Sequence, residues 1–273
     1  MNNYNPKISI IKSKTKKYIF QPYSDLHIER KGFYPDIHPI NPSLHDYGDA
    51  IYICLLAGDI GCVNDPLYYE FLRLIGSRFN FTYVILGNHE YNGNSIEYVD
   101  RIIKYKNIPN VTFLQKNSIY FPDIDTLLLG CTLWSYIPKG AKNAVERTCS
   151  NYKNINNFNT FKNNKLFIDH YTWLEDNLNG PESIKIVMTH HTPSIHGTNT
   201  YLNTRLLTVY NYSTDIPDLL KKANIWVCGH THYNPPSNTI NIEGCLVVLN
   251  QMGYSKFSPE KDFNLNCGFI IEQ

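Results

Sequence analysis

Short apolar runs punctuate the chain, and most end in polar residues of chemical interest. Lys17 to Tyr23 leads into Ser24-Asp25-Leu26-His27, Ile51 to Ala57 into Gly58-Asp59, and Phe81 to Leu86 into Gly87-Asn88-His89-Glu90. Ile184 to Met188 leads into Thr189-His190-His191, and Ile225 to Cys228 into Gly229-His230-Thr231-His232. Runs this short, bounded by glycine and rich in β-branched or aromatic residues, predict buried strands rather than helices. Further strands are predicted over Thr126 to Leu133, Gly244 to Asn250 and Cys267 to Ile271. Helices are predicted over Pro66 to Gly76, Ser95 to Lys106, Phe161 to Leu178 and Asp215 to Lys222. Strands alternating with helices predict an α/β sheet covered on its faces. Ligands of such sheets bind beyond the carboxyl ends of the strands, where all five polar clusters fall.

No internal repeat is visible, and no boundary separates segments that look able to fold alone. One domain over residues 1–273 is therefore expected, with loop or lid insertions near 31–48 and 135–164. The Asn-rich stretch Asn151 to Asn164 reads as a surface loop or lid. Lys31 to Gly48, with three prolines and with His38 and His45, reads as a second loop.

Composition narrows the function classes. Hydrophobic residues make up 42% and charged residues 18%, an ordinary globular balance. The net charge of +1, from 25 basic and 24 acidic side chains, leaves no electrostatic footprint for nucleic acid or a membrane surface. None of the seven cysteines forms a CxxC pair, which argues against a zinc knuckle or a redox motif. Their odd count and scattered spacing favour a reducing compartment. The start of the chain lacks a signal-type apolar core, and no stretch is long and apolar enough for a membrane helix, so a soluble, cytoplasmic protein is expected.

The clusters carry chemistry. In an extended chain Asp25 and His27 point to one face and can grip one cation, although Asp-x-His is common by chance. Gly58-Asp59 is an ordinary turn sequence. In Gly87-Asn88-His89-Glu90 the glycine permits a sharp turn, Asn88 offers a hard-metal oxygen and His89 a general acid. The alternative is a capping Asn followed by a solvated His. His230 and His232 lie at a spacing typical of metal sites, against two solvated loop histidines. Together the clusters offer more nitrogen and oxygen donors than one tetrahedral zinc requires, and fit two divalent ions bridged by a carboxylate.

These motifs, in this order, resemble the calcineurin-like metallophosphoesterase superfamily, whose signature runs D-x-H, GD, GNH[DE], a lone or doubled His, then GH-x-H. The resemblance spans Asp25 to His232, and Gly130-Cys131-Thr132-Leu133-Trp134 and Met252-Gly253-Tyr254 look like a single-domain, prokaryotic-type branch. It implies a four-layer α/β/β/α sandwich. It implies one metal on Asp25, His27, Asp59 and His232 and another on Asp59, Asn88, His190 and His230, with Asp59 bridging. The ions expected are two divalent transition metals (Mn, Fe or Zn, with Mn favoured). The implied reaction is hydrolysis of a phosphomonoester or phosphodiester by a metal-bridging hydroxide, with Asp59, Asn88 and His89 in catalytic roles. One departure stands out. Protein-phosphatase members carry the acidic partner of this His in a GD-x-x-DRG element; here Cys62 holds that position and no Arg follows, leaving Asp65 as a possible substitute.

Other residues are read blandly. His38, His45, His170 and His196 fit surface or structural roles. Tyr91, Trp134, Tyr136, Tyr152 and Tyr233 are read mainly as core packing. Arg30 and Arg147 could meet a phosphate, with solvated Arg as the default. A catalytically silent scaffold would have lost several ligand positions, and all are filled here. A nuclease would want a basic stripe. The expected partner is a small-molecule or nucleotide phosphoester; neither the substrate nor the oligomeric state can be read from the sequence.

Overall fold

The computed structural model describes residues 17–40, 50–200, 205–255 and 259–272; His45 lies outside them. The chain begins with β1 (Lys17–Tyr23), the short α1 (Ile28–Lys31), β2 (Ile51–Ala57), α2 (Pro66–Arg78), β3 (Phe81–Ile85), α3 (Ile96–Lys104) and β4 (Val111–Phe113). A second series follows, with β5 (Asn117–Phe121), β6 (Thr126–Cys131), α4 (Lys142–Thr148), α5 (Asn151–Asn154), α6 (Thr160–Asn177) and β7 (Ile184–Thr189). It ends with α7 (Pro217–Leu220), β8 (Ile225–Cys228), β9 (Thr239–Ile242), β10 (Cys245–Leu249) and β11 (Phe269–Glu272). One sheet has the order β11-β1-β2-β3-β4, the other β5-β6-β7-β8-β10-β9.

Side-chain alternation explains why two sheets stack. Along β2, Ile53, Leu55 and Ala57 join Phe20, Tyr83 and Ile85, and meet Leu128, Ile186, Met188 and Val227 of the other sheet. The intervening Cys54 and Leu56 point the opposite way, onto Tyr68, Phe71, Leu72 and Ile75 of α2. On the second sheet Leu129, Val187 and Trp226 turn outward to Phe167 and Leu174 of α6. Period-2 strands with both faces apolar thus give helix, sheet, sheet, helix, the expected four-layer α/β/β/α sandwich. Phe20, fully buried, stacks on Phe269 at 5.2 Å and meets Phe121 edge-on at 5.8 Å. Truncating it to Ala would cost about 3–5 kcal/mol.

The pairs β1–β2, β2–β3, β6–β7 and β7–β8 are all parallel. The ends of β1, β2, β3, β7 and β8 therefore share one rim, and each is followed by one of the polar clusters.

The structure departs from expectation in the Asn-rich stretch. Instead of a loop it forms α5 and the start of α6, with Asn159 capping α6 through Lys162 N at 2.9 Å. Asn151 and Asn163 are buried. Asn is a capping residue as well as a loop residue, and composition alone does not separate the two. The helix expected over Asp215 to Lys222 is a single turn, α7, started by Pro217.

Candidate metal centre

Asp25, His27, Asp59, Asn88, His89, His190 and His230 are buried, and His232 is nearly so, its side chain 16% exposed. All converge at the shared rim. The alternatives of a solvated His89 or of two solvated histidines at 230 and 232 are ruled out by that burial. Asn88 heads the 3₁₀ turn His89–Tyr91 without capping it by its side chain.

Two groups form around Asp59. Asp25, His27 and His232 make one, with His27 Nε2 3.0 Å from His232 Nε2 and His232 Nε2 3.3 Å from Asp25 Oδ1. Asp59, His190 and His230 make the other. His190 Nε2 lies 3.4 Å from Asp59 Oδ1, 3.2 Å from His230 Nδ1 and 3.2 Å from Asn88 Oδ1. The other Asp59 oxygen, Oδ2, is 3.9 Å from His27 Nε2. His191 turns away from Asp59, its ring 5.3 Å from Trp134 and 4.2 Å from His230.

The backbone that aims these side chains is unusual. Asp25, His27, Asp59, His230 and His232 all have positive φ, between 45° and 69°. The extended Asp-x-His geometry expected from the sequence is therefore wrong; both residues are left-handed, and the pair converges through a tight turn. Left-handed non-glycine residues each cost about 1–2 kcal/mol and persist only where the surroundings hold them. Cross-links do so here. Asp25 N donates to Gly58 O at 3.0 Å, His27 N to Asp59 O at 3.0 Å, and His230 N to Asp25 Oδ2 at 3.0 Å. The Glu90 carboxylate accepts from Gly87 N at 2.8 Å, Asp59 N at 3.0 Å and Ile60 N at 2.8 Å, tying the second cluster to the third. The buried Lys31 amine donates to Leu26 O at 2.7 Å and Gly253 O at 2.6 Å, joining the first cluster to the far end of the chain.

Gly87 serves closeness rather than a turn. Its φ is not positive, and a Cβ there would strike Asp59 Oδ1. Gly58 needs both, with φ 84° and only 2.6 Å from a built Cβ to His190 Nδ1.

Hydrogen bonds fix which ring atoms face inward. His190 Nδ1 donates to Ala57 O at 2.9 Å, which leaves Nε2 toward Asp59. Asn88 Nδ2 donates to Asn151 Oδ1 at 2.9 Å, which turns the Asn88 oxygen toward His190. Burial alone would lower His190, but the adjoining Asp59 carboxylate outweighs it and pushes the ring up to about 9. Burial and the neighbouring His190 charge push His230 down to about 3. Two carboxylates, an amide oxygen and four imidazoles, with lone pairs aimed at each other, suit divalent transition ions, which would replace the proton the rings otherwise share.

His89 lies beside these groups, its Nε2 3.9 Å from Asp59 Oδ2. Its Nδ1 is 2.9 Å from Glu29 Oε1, and its Nε2 is 3.2 Å from the Tyr254 hydroxyl. The ring of Tyr254 lies 4.2 Å from that of His27 and 4.3 Å from that of His232, with the Arg30 guanidinium 4.3 Å from its centroid. Asp65, the expected substitute for the missing acid, does not reach His89; it caps α2 through Leu67 N at 3.0 Å. Three participants, Glu29, Asn151 and Tyr254, were not picked out as site residues from the sequence. A carboxylate two positions beyond Asp-x-His was the one available signal for Glu29. His38 and His196 are exposed, and His170 is buried in a structural role. Trp134 and Tyr91 are core, whereas Tyr136 is exposed.

A two-sheet sandwich carrying these donors on one rim defines a metal-dependent phosphoric ester hydrolase. The chain belongs to the calcineurin-like phosphoesterase family, whose model matches residues 23–234. It is 30% identical over 283 residues to an uncharacterized protein of Acanthamoeba polyphaga mimivirus, covering 93% of this chain and 97% of that one. In fold it is similar to a phosphopantetheinyl hydrolase from Mycobacterium tuberculosis, with TM-score 0.61, 13% identity and coverage of 87% of this chain and 90% of that one. Among the described residues no helix is long and apolar enough to cross a membrane.

Proposed function

We propose that the protein hydrolyses a phosphomonoester or phosphodiester at a pair of divalent ions. Asp25, His27, Asp59 and His232 would hold one, and Asp59, Asn88, His190 and His230 the other. The observation that carries this reading is Asp59, whose two oxygens face different histidine groups, Oδ1 toward His190 at 3.4 Å and Oδ2 toward His27 at 3.9 Å. Two such ions, manganese favoured, supply an acidified water at neutral pH and neutralise charge on the phosphoryl oxygens.

The chain supplies the rest. Asp25 and Asp59 provide buried negative charge, and Asn88 a neutral oxygen whose direction Asn151 sets. His89, whose Nε2 faces Asp59 Oδ2 and the Tyr254 hydroxyl, donates a proton to the leaving oxygen, a role typically contributing about 10²–10⁴-fold. Tyr254 shields the first group from water, and the Arg30 beside it favours an anionic ligand. The substrate class is a small molecule or a nucleotide, in keeping with the net charge of +1.

The test is reconstitution with manganese, iron or zinc, followed by ion counting and a hydrolysis screen. The screen compares p-nitrophenyl phosphate, bis-p-nitrophenyl phosphate and cyclic nucleotides. Two ions per chain and turnover of at least one class are expected, with His89→Ala losing turnover far more than metal. Loaded protein with one ion or none would end the dinuclear reading, and full turnover in His89→Ala would end the assignment of the donor.

A further inference from the structure

Resting on the reading of His89 as proton donor, we propose that Glu29 is the positioning carboxylate of that donor. Glu29 Oε1 lies 2.9 Å from His89 Nδ1 and 3.6 Å from His27 Nδ1. The two rings meet edge to face with centroids 4.4 Å apart, and the oxygen bonds the His89 ring. The Glu29 side chain is only 16% exposed. Neither its Oε2 nor His27 Nδ1 has a hydrogen-bond partner among the described residues, so His89 Nδ1 is the ring nitrogen that Glu29 holds.

The ring chemistry decides what this trio is. A proton on His89 Nδ1, held by Glu29, leaves Nε2 as the atom facing Asp59 Oδ2 and the Tyr254 hydroxyl. His27 is arranged likewise, with Nε2 toward Asp25 and His232 and Nδ1 toward Glu29. His27, Glu29 and His89 also have the spacing of a cation site. A cation there would strip His27 Nδ1 of its proton while Nε2 faces another ion, forcing an imidazolate. A hydrogen-bonded carboxylate makes no such demand.

The usual place for the acid is taken. Cys62 holds it, with Sγ directed to Asn92 O at 3.6 Å, and Asp65 is spent on capping α2. The left-handed turn at His27, φ 45°, starts α1 immediately and swings Glu29 over His89. A carboxylate that steers a reacting imidazole is worth about tenfold to a hundredfold when removed.

The experiment uses the manganese-loaded full chain as wild type, Glu29→Ala, Glu29→Gln, His89→Ala and the double variant. Aryl phosphodiesters from p-nitrophenyl to phenyl are compared, alongside metal content and, on the diamagnetic zinc-loaded chain, imidazole ¹⁵N spectra. Glu29→Ala is expected to slow the phenyl ester roughly tenfold to a hundredfold and the p-nitrophenyl ester far less, because a good leaving group needs little protonation. Added to His89→Ala it should cost nothing further. Glu29→Gln, nearly isosteric and safe for folding, should retain part of the effect, and both variants should shift the His89 Nδ1 resonance. Equal slowing of every ester, a cost that persists without His89, or an unmoved Nδ1 resonance overturns the proposal. A His89→Ala enzyme indifferent to leaving group would instead overturn His89 as donor, independently of Glu29.

Discussion

Around Asp59, the His190–His230 side is walled in by backbone, whereas the His27–His232 side is covered, among the described residues, by the partly exposed ring of Tyr254. His190 is pinned at Nδ1 by Ala57 O, and its N–H donates to Thr132 O at 3.2 Å. Thr132 Oγ1 in turn donates to Leu86 O at 2.7 Å, and the next residue, Leu133, donates its N–H to His170 Nδ1 at 2.9 Å. Asn151 completes this buried shell by holding Asn88. Over His27 and His232 there is Tyr254, 44% exposed, with Arg30 on top. One half of the centre is enclosed by backbone and buried amides, and the other is closed on its exposed side by the Tyr254 and Arg30 side chains. An ion on the His190 side should therefore bind more tightly and exchange more slowly than its neighbour.

Asp59→Asn attacks the comparison at its root, since both halves share that carboxylate. Turnover should fall by roughly a thousandfold, from about 4 kcal/mol of lost charge stabilisation, and metal content should drop below two ions per chain. An unchanged stoichiometry would mean that the halves are independent.

The next effect is on stability with pH. Burial pushes His170 down to about 4 from its usual 6.5, so the unfolded chain takes up the proton first. Its contribution is complete above pH 6.5 and is lost as the pH falls towards 4. At most about 3 kcal/mol disappears over that window, at about 1.4 kcal/mol per pH unit. Thermal melts of His170→Gln should show a flatter acid limb than wild type; parallel limbs would contradict this.

Asn151→Ala should weaken the ion on the His190 side roughly tenfold to a hundredfold, read by calorimetric titration, and leave the other ion's affinity nearly intact. Equal weakening of both would erase the distinction drawn above. Tyr254→Phe should change turnover by less than about tenfold, because only one hydroxyl contact to His89 is lost. A larger loss would make the tyrosine a participant in the chemistry.

The rim itself was legible in the sequence, because each of its strands is a short apolar run closed by glycine or a polar cluster. Alternation of strands and helices gave an α/β sheet covered on its faces, and the four layers came from the family resemblance. The strands at the margins were not legible: β4, β5 and β9 are short and largely uncovered, so their pattern carries little alternation. Left-handed Asp25 and His27 could not be foreseen, since side chains seldom adopt that conformation without tertiary support. Glu29 and Asn151 were missed for a related reason. Each acts on a residue far along the chain, 60 positions for Glu29 and 63 for Asn151, and spacing says nothing about such reach.

The pairing of β11 with β1, Lys17 opposite Glu272, sets a schedule for biosynthesis. The strand that delivers Asp25 is flanked on one side by a segment that leaves the ribosome more than two hundred residues later, and His232 and Tyr254 also emerge late. A nascent chain halted before residue 225 would carry Asp25, His27, Asp59, Asn88 and His190 without β8, His230 or His232. Assembly of the centre thereby waits until β8 and β11 have been made, and such long-range closure is slow by its nature.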